Sequence, residues 1–176
     1  MAFDFNKLSE INEILETPIY PEISNGYEHA DDDIKPIADY IKKITIHNEY
    51  IEPNRIKYFY TSKPKKDGGR YIIGSLIQRT DLERLVDDRY DFILTLFYPI
   101  WKDLDAKNKI IQLDKVLSGI DPGTFESASF KKKQADSKEY VSNMKFFGPD
   151  NVLDSSEIVH LACQKFVKEE KEKRKK

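Results

Sequence analysis

An α+β domain, in which a small antiparallel three-stranded sheet packs against helices, is what this chain of 176 residues predicts. Three observations lead there. Apolar residues recur at helical spacing in the first third, the pattern turns β-branched and aromatic from Arg55, and helical spacing returns after Pro99. A composition of 39% hydrophobic and 34% charged residues fits one ordinary globular domain with polar extensions.

Taken in order, Phe3, Leu8, Ile11, Ile14 and Leu15 predict a short amphipathic helix over 3–15. Thr17 to Glu28 holds Pro18, Pro21, Asn25 and Gly26 and reads as a connecting loop. Asp31, Asp32 and Asp33 precede Ile34, Ile37, Ala38, Ile41, Ile44 and Ile46, which predicts a helix over 33–48, capped by aspartate, with Pro36 in its first turn. The three carboxylates are read as capping and compensation of the helix dipole, not as a cation site.

Residues 55–61 are β-branched and aromatic, Ser62 to Gly69 is a lysine-rich loop closed by Gly68 and Gly69, and residues 71–78 return. An antiparallel hairpin with a long basic tip is expected. Asp81 to Asp88 forms a helical turn around Leu82, Leu85 and Val86. Residues 90–98 are the most apolar run and the best candidate for a buried central strand, ended by Pro99. A helix is expected through Leu104, Ile110, Ile111, Leu113, Leu117 and Ile120, stopped by Asp121, Pro122 and Gly123. After a polar stretch with Lys131, Lys132 and Lys133, a short helix over 137–147 ends at Gly148 and Pro149, and a last helix covers 155–170. Phe92, Leu96, Trp101, Leu113 and Leu117 are expected in the core. Three parts follow: an acidic N-terminal extension over 1–32, an α+β domain over 33–150, and a C-terminal helix with a basic tail over 151–176.

Charge is uneven along the chain. Residues 1–54 carry a formal balance of −8, residues 55–164 carry +2 and residues 165–176 carry +4. The basic tail reads as a solvated helix end. The longest apolar-rich run, Phe92 to Trp101, is far short of the ~20 residues a bilayer span needs, and the N-terminus has no apolar signal core, so no membrane association is expected. A single cysteine, Cys163, excludes an intramolecular disulfide framework and a cysteine-based zinc site, and a reducing cytoplasm is the simplest setting.

The motif inventory is mostly negative. His29, His47 and His160 are the three histidines, and no two stand three to five residues apart, so a helical two-histidine zinc site is absent. Neither phosphate-cradling glycine loops nor a nucleophile elbow occurs. His160 and Cys163 share a helical face, and a packed cysteine beside a surface histidine is the simpler reading than a catalytic dyad.

The segments IADYIKKITIHNEYIEPNRIKYFYTSK, YIIGSLIQRT, YDFILTLFYPIWKDLDAKNKIIQLDKVLSGI, ADSKEY and FFG, in that order, resemble the phage metallopeptidase family, small relatives of the SprT-like and gluzincin proteases. The resemblance implies a minimal metallopeptidase-like fold and a helix of the form D-H-E-L-x-H-I. That element here reads Asp114, Lys115, Val116, Leu117, Ser118, Gly119, Ile120. Lysine stands in place of the first histidine, valine in place of the glutamate and glycine in place of the second histidine. The downstream H-D pair reads Ala135, Asp136. An ammonium is a poor zinc ligand at neutral pH, valine takes no proton and glycine offers no side chain, so the resemblance implies a vestigial cleft without metal, cofactor or catalysis.

Three functions compete on these grounds. The first is a noncatalytic phage protein that binds a protein partner (a host factor, a phage polymerase or a virion component) through Phe3, Phe5, Tyr20 and Tyr27, acting in the cytoplasm of an infected bacterium or in the virion. The second is a nucleic-acid-binding accessory protein that contacts phosphates through Lys63, Lys65, Lys66, Arg70, Lys131, Lys132 and Lys133; the acidic front counts against it. The third is an enzyme with a non-zinc site, for instance a hard cation held by Asp114 and Asp136.

Overall fold

Leu8 and Leu15 tie the start of the chain to its core. The computed structural model describes residues 3–20, 23, 26–121, 131–132 and 140–175, the side chains of 131–132 excepted. Within the first stretch the expected single helix is a 3₁₀ turn over Phe5–Ile11, capped by Asp4, followed by α1 (Asn12–Leu15). Leu8 and Leu15 are both buried, and α1 packs against the next helix.

A short strand, β1 (Tyr27–His29), lies at the end of the segment read as loop and precedes α2 (Asp31–Ile44). Ala30, not an aspartate, occupies the N-cap position of α2. The acids fill the first turn, where they meet the dipole and reach outward. Asp31 accepts the Tyr58 N–H at 3.0 Å and pairs with Lys57, while Asp33 accepts the Tyr20 hydroxyl at 3.0 Å. Those bonds fasten the helix start to the sheet and to the N-terminal segment.

The sheet corrects the predicted topology. Strands β2 (Ile56–Thr61), β3 (Lys65–Asp67), β4 (Arg70–Ile72) and β5 (Gly74–Gln78) precede α3 (Asp81–Val86) and β6 (Phe92–Phe97). The order is β1-β2-β6-β5, four strands rather than three, and β6 runs parallel to β2 but antiparallel to β5. The segment 71–78 does not return along 55–61. Its first residues close a separate hairpin, with Lys65 opposite Ile72 and Gly68 and Gly69 at positive φ in the turn, as a two-residue hairpin loop demands. The chain then passes to the far side of the place β6 fills. Thirty residues between β2 and β6 supply the long crossover that a parallel pair requires.

Alternation along these strands decides the packed face. Ile56, Tyr58, Tyr60, Phe92, Leu94, Leu96 and Leu76 are buried, while Lys57, Phe59, Ile93 and Thr95 on the other face are half-buried. Beneath the packed face lie α2 and α5 (Ala106–Leu117). Gly74 allows the close approach there: a Cβ on it would stand 2.6 Å from the Leu96 side chain and from the Thr95 carbonyl, and 3.5 Å from Val116 of α5.

The helix expected from Trp101 onward is two helices. Pro99 opens α4 (Tyr98–Trp101), the chain turns, and Asp105 caps α5 by accepting the Asn108 N–H at 2.7 Å. Phe92, Leu96, Trp101, Leu113 and Leu117 are all buried, as the spacing predicts. Two short strands follow, β7 (Ile120–Asp121) and β8 (Lys131–Lys132), then α6 (Val141–Phe147) and α7 (Pro149–Lys173). Gly148 breaks between these helices at φ 89°, and α7 starts six residues earlier than its apolar spacing indicated, with Pro149 in its first turn. Among the described residues no helix is long and apolar enough to cross a membrane.

Candidate functional site

The residues of the motif-bearing helix separate onto different faces. Asp114 is fully buried, and its carboxylate accepts from the side-chain amides of Asn48, at 2.7 Å, and of Asn143. Nε2 of His47 stands 2.9 Å from the same carboxylate. Ser118, one turn on, donates to the Asp114 carbonyl at 2.8 Å and accepts from Asn48 and Asn143, each at 3.2 Å. This buried cluster joins α5 to α6 and to the 3₁₀ turn Ile46–Asn48. Its chemistry is that of a clamp: a carboxylate in a dry site held by amide and imidazole donors.

Lys115 and Gly119, four residues apart, point elsewhere. The Lys115 ammonium donates to Ser156 of α7 at 3.2 Å, beside the Gln112 amide, which donates to Ser155 at 2.9 Å. Val116 lies against Gly74 of β5. A Cβ on Gly119 would meet the Tyr140 hydroxyl at 3.2 Å and Leu76 at 3.5 Å, so a large side chain there would have to displace Tyr140. Ala135 and Asp136 lie outside the described residues, as does Lys133. Among the described residues no three His, Cys, Asp or Glu side chains form a group able to hold a metal ion.

The aromatic residues proposed for a partner are mostly engaged internally. Phe3 packs on Phe146 and Phe147, Phe5 stacks on Phe147 at 5.9 Å, and the Phe3 N–H donates to the Phe146 carbonyl. Tyr20 lies between Tyr60 and Tyr98, with its hydroxyl on Asp33, and burial pushes its pKa up to about 12. The expectation that these rings are free is corrected for Phe3, Phe5 and Tyr20, because the N-terminal turn lays them on the core; Tyr27, on edge strand β1, is exposed.

Of the basic groups, Lys63, Lys65 and Lys66 are exposed, with Lys66 4.5 Å above the Tyr71 ring. Arg70 pairs with Glu157 of α7. Lys131 and Lys132 belong to a different two-stranded sheet, in register with Asp121 and Ile120. Cys163 is buried, and that burial pushes its thiol up to about 12, while His160 accepts the Tyr71 N–H on Nδ1 at 3.0 Å. Both ring nitrogens of His160 face other groups, Nδ1 the Tyr71 N–H and Nε2 the Gln164 amide.

Large apolar side chains are exposed at several places, Ile19 and Ile46 among them, and three of them gather on α3. Thr80 and Glu83 form a capping box that starts α3, yet Leu82, Leu85 and Val86 are 73%, 84% and 85% exposed. Ile77, just before it on β5, is half exposed. Beside Leu85 an open depression of about 400 Å³ is lined by Arg55, Asp81, Arg84, Asp88 and Asp91. Arg55 holds Asp91 through two bonds of 2.8 Å and keeps its carboxyl below the usual carboxylate range. Arg79 spends its guanidinium on the carbonyls of Asp87 and Tyr90, which closes the loop after α3. Sequence reasoning found the helix but not its orientation, because three apolar residues on six carry no sign of which way they face.

No protein-family model matches the chain, no curated protein matches it in sequence, and no solved structure matches its fold.

Proposed function

We propose that the chain is a noncatalytic protein-binding protein, built on a metallopeptidase-like scaffold of phage type whose cleft has been filled. The observation that carries this reading is the exposure of Leu82, Leu85 and Val86 on one capped helix. Folded domains rarely leave neighbouring large apolar side chains in water unless another surface covers them. The replaced motif supports the noncatalytic half: Lys115 is engaged by Ser156, Val116 packs on Gly74 and the side of Gly119 is taken by Tyr140.

The charges around α3 support one reading of the partner's chemistry. Asp81, Glu83 and Asp88 are exposed around α3, Arg84 pairs with Asp81 and the exposed Arg89 with Asp87, and Arg79 and Arg55 are turned to internal acceptors, which leaves Glu83 and Asp88 as the acids that face outward. A protein that offers an apolar groove with basic groups at its edge fits, in the manner of a helix laid into a groove. A host factor, a phage polymerase or a virion component are the candidates. The exposed lysines of the hairpin do not favour nucleic acid as strongly, since Arg70 is already paired with Glu157.

Affinity capture from infected cells, comparing the unaltered chain with a Leu82→Asp, Leu85→Asp double variant, tests the proposal. A specific protein held by the former and lost by the latter, at equal thermal stability, is expected. Equal capture by both would remove α3 as the docking surface.

A further inference from the structure

We infer that His160 is a pH-sensitive latch, which holds the β3–β4 hairpin on α7 while its ring is neutral and releases it when the ring is charged. The chemistry of one bond requires this. The Tyr71 N–H of β4 points at Nδ1 of His160 over 3.0 Å, and a backbone N–H can only donate, so Nδ1 must present its lone pair. The single ring proton then sits on Nε2. Nε2 lies 3.1 Å from the side-chain amide of Gln164. The Gln164 atom placed there is its amide nitrogen; because a neutral imidazole cannot accept twice and also carry a proton, the Gln164 amide has to turn over and present its oxygen to Nε2–H. A second proton on the ring has one place to go, Nδ1, and there it faces the Tyr71 N–H directly.

The surroundings make that loss cooperative. Arg70, the residue before Tyr71, pairs with Glu157, three residues before His160 on the same face of α7. The ring of Tyr71 lies 5.9 Å from the imidazole, and the Lys66 ammonium of β3 stands 4.5 Å from the centre of that same ring. Among the described residues, then, a charged His160 faces Arg70 and Lys66, which repel it, and Glu157, which attracts it. Attraction to Glu157 competes with Arg70 for one carboxylate. The proton that breaks the first fastener therefore weakens the second. Histidine side chains change charge between about pH 5 and 8, where a cell or a maturing particle can act on them. What the latch controls is the hairpin that carries Lys65 and Lys66, two residues on from Lys63.

Amide hydrogen exchange, corrected for intrinsic rates and read at pH 7.5 and 5.5, tests it on the full chain. Protection of the Tyr71 N–H is expected to fall several-fold at pH 5.5, with about tenfold the ceiling that one histidine of ordinary open-state pKa allows, and β6 amides unchanged. His160→Asn, whose amide oxygen can take the place of Nδ1, is expected to hold the same protection at both values. Equal protection of the unaltered chain at both pH values overturns the latch, and so does a pH-dependent loss that persists in His160→Asn. Imidazole nitrogen shifts of the unaltered chain give a readout independent of any variant: the Nε2–H tautomer is expected at pH 7.5, and the Nδ1–H tautomer would refute the assignment.

Discussion

Oδ2 of Asp114 lies 2.9 Å from Nε2 of His47, across 67 residues of chain. Asp114 has no contact with solvent, so its carboxylate is worth keeping only because Asn48, Asn143 and His47 all point donors at it. Removing the acid strands those donors in a dry site. Asp114→Ala is expected to destabilise the fold by roughly 3–5 kcal/mol, and Asp114→Asn by less, since one oxygen survives to accept from Asn48. Urea denaturation measures both; equal and small losses would show that the cluster is not a clamp.

Leu117 and Leu85 are both leucines on helices, with opposite fates. Leu117 is buried under the sheet and Leu85 stands in water. Leu117→Ala should cost on the order of 2–5 kcal/mol. Leu85→Ala should stay within about 0.5 kcal/mol. The difference in denaturation midpoint between the two variants reads the orientation of α3 directly.

Acid should weaken the Arg55–Asp91 pair. Hydrogen bonding from Arg55 holds the Asp91 carboxyl below its usual range, with Arg84 adding to it. Its folded pKa is therefore depressed, and the unfolded chain binds more protons as pH falls. The stability it contributes is fully present above the ordinary aspartate value and is lost as pH falls through the folded one. Asp33 works in the opposite sense, because burial raises it. Thermal unfolding between pH 5 and pH 2 should show a flatter acid limb in Arg55→Met than in the unaltered chain.

Truncation should not leave an intact remainder. Leu8 and Leu15 are buried, and the Lys109 ammonium donates to the Leu15 carbonyl at 2.6 Å and to the Thr17 hydroxyl at 2.9 Å. Deleting residues 1–17 removes both acceptors from a buried cation as well as two core leucines. A clear fall in melting temperature by calorimetry is expected; an unchanged one would make the N-terminal segment an appendage.

The sequence by itself determined the mixed α+β class, the core positions Phe92, Leu96, Trp101, Leu113 and Leu117, the central apolar strand and the breaks at Pro99 and Gly148. These are local properties: periodicity tells which face of an element is apolar, and proline and glycine constrain the backbone wherever they occur. Only the tertiary structure decided that β6 enters between β2 and β5, parallel to one and antiparallel to the other, since strand order depends on how a long crossover packs and not on the strand's own residues. It likewise decided that His47 meets Asp114, that Phe3 and Phe5 turn inward onto Phe147, and that Leu82, Leu85 and Val86 turn outward. Each depends on a partner distant in sequence, or on the lack of one, and an apolar side chain reads the same in the chain whether another element covers it or water does.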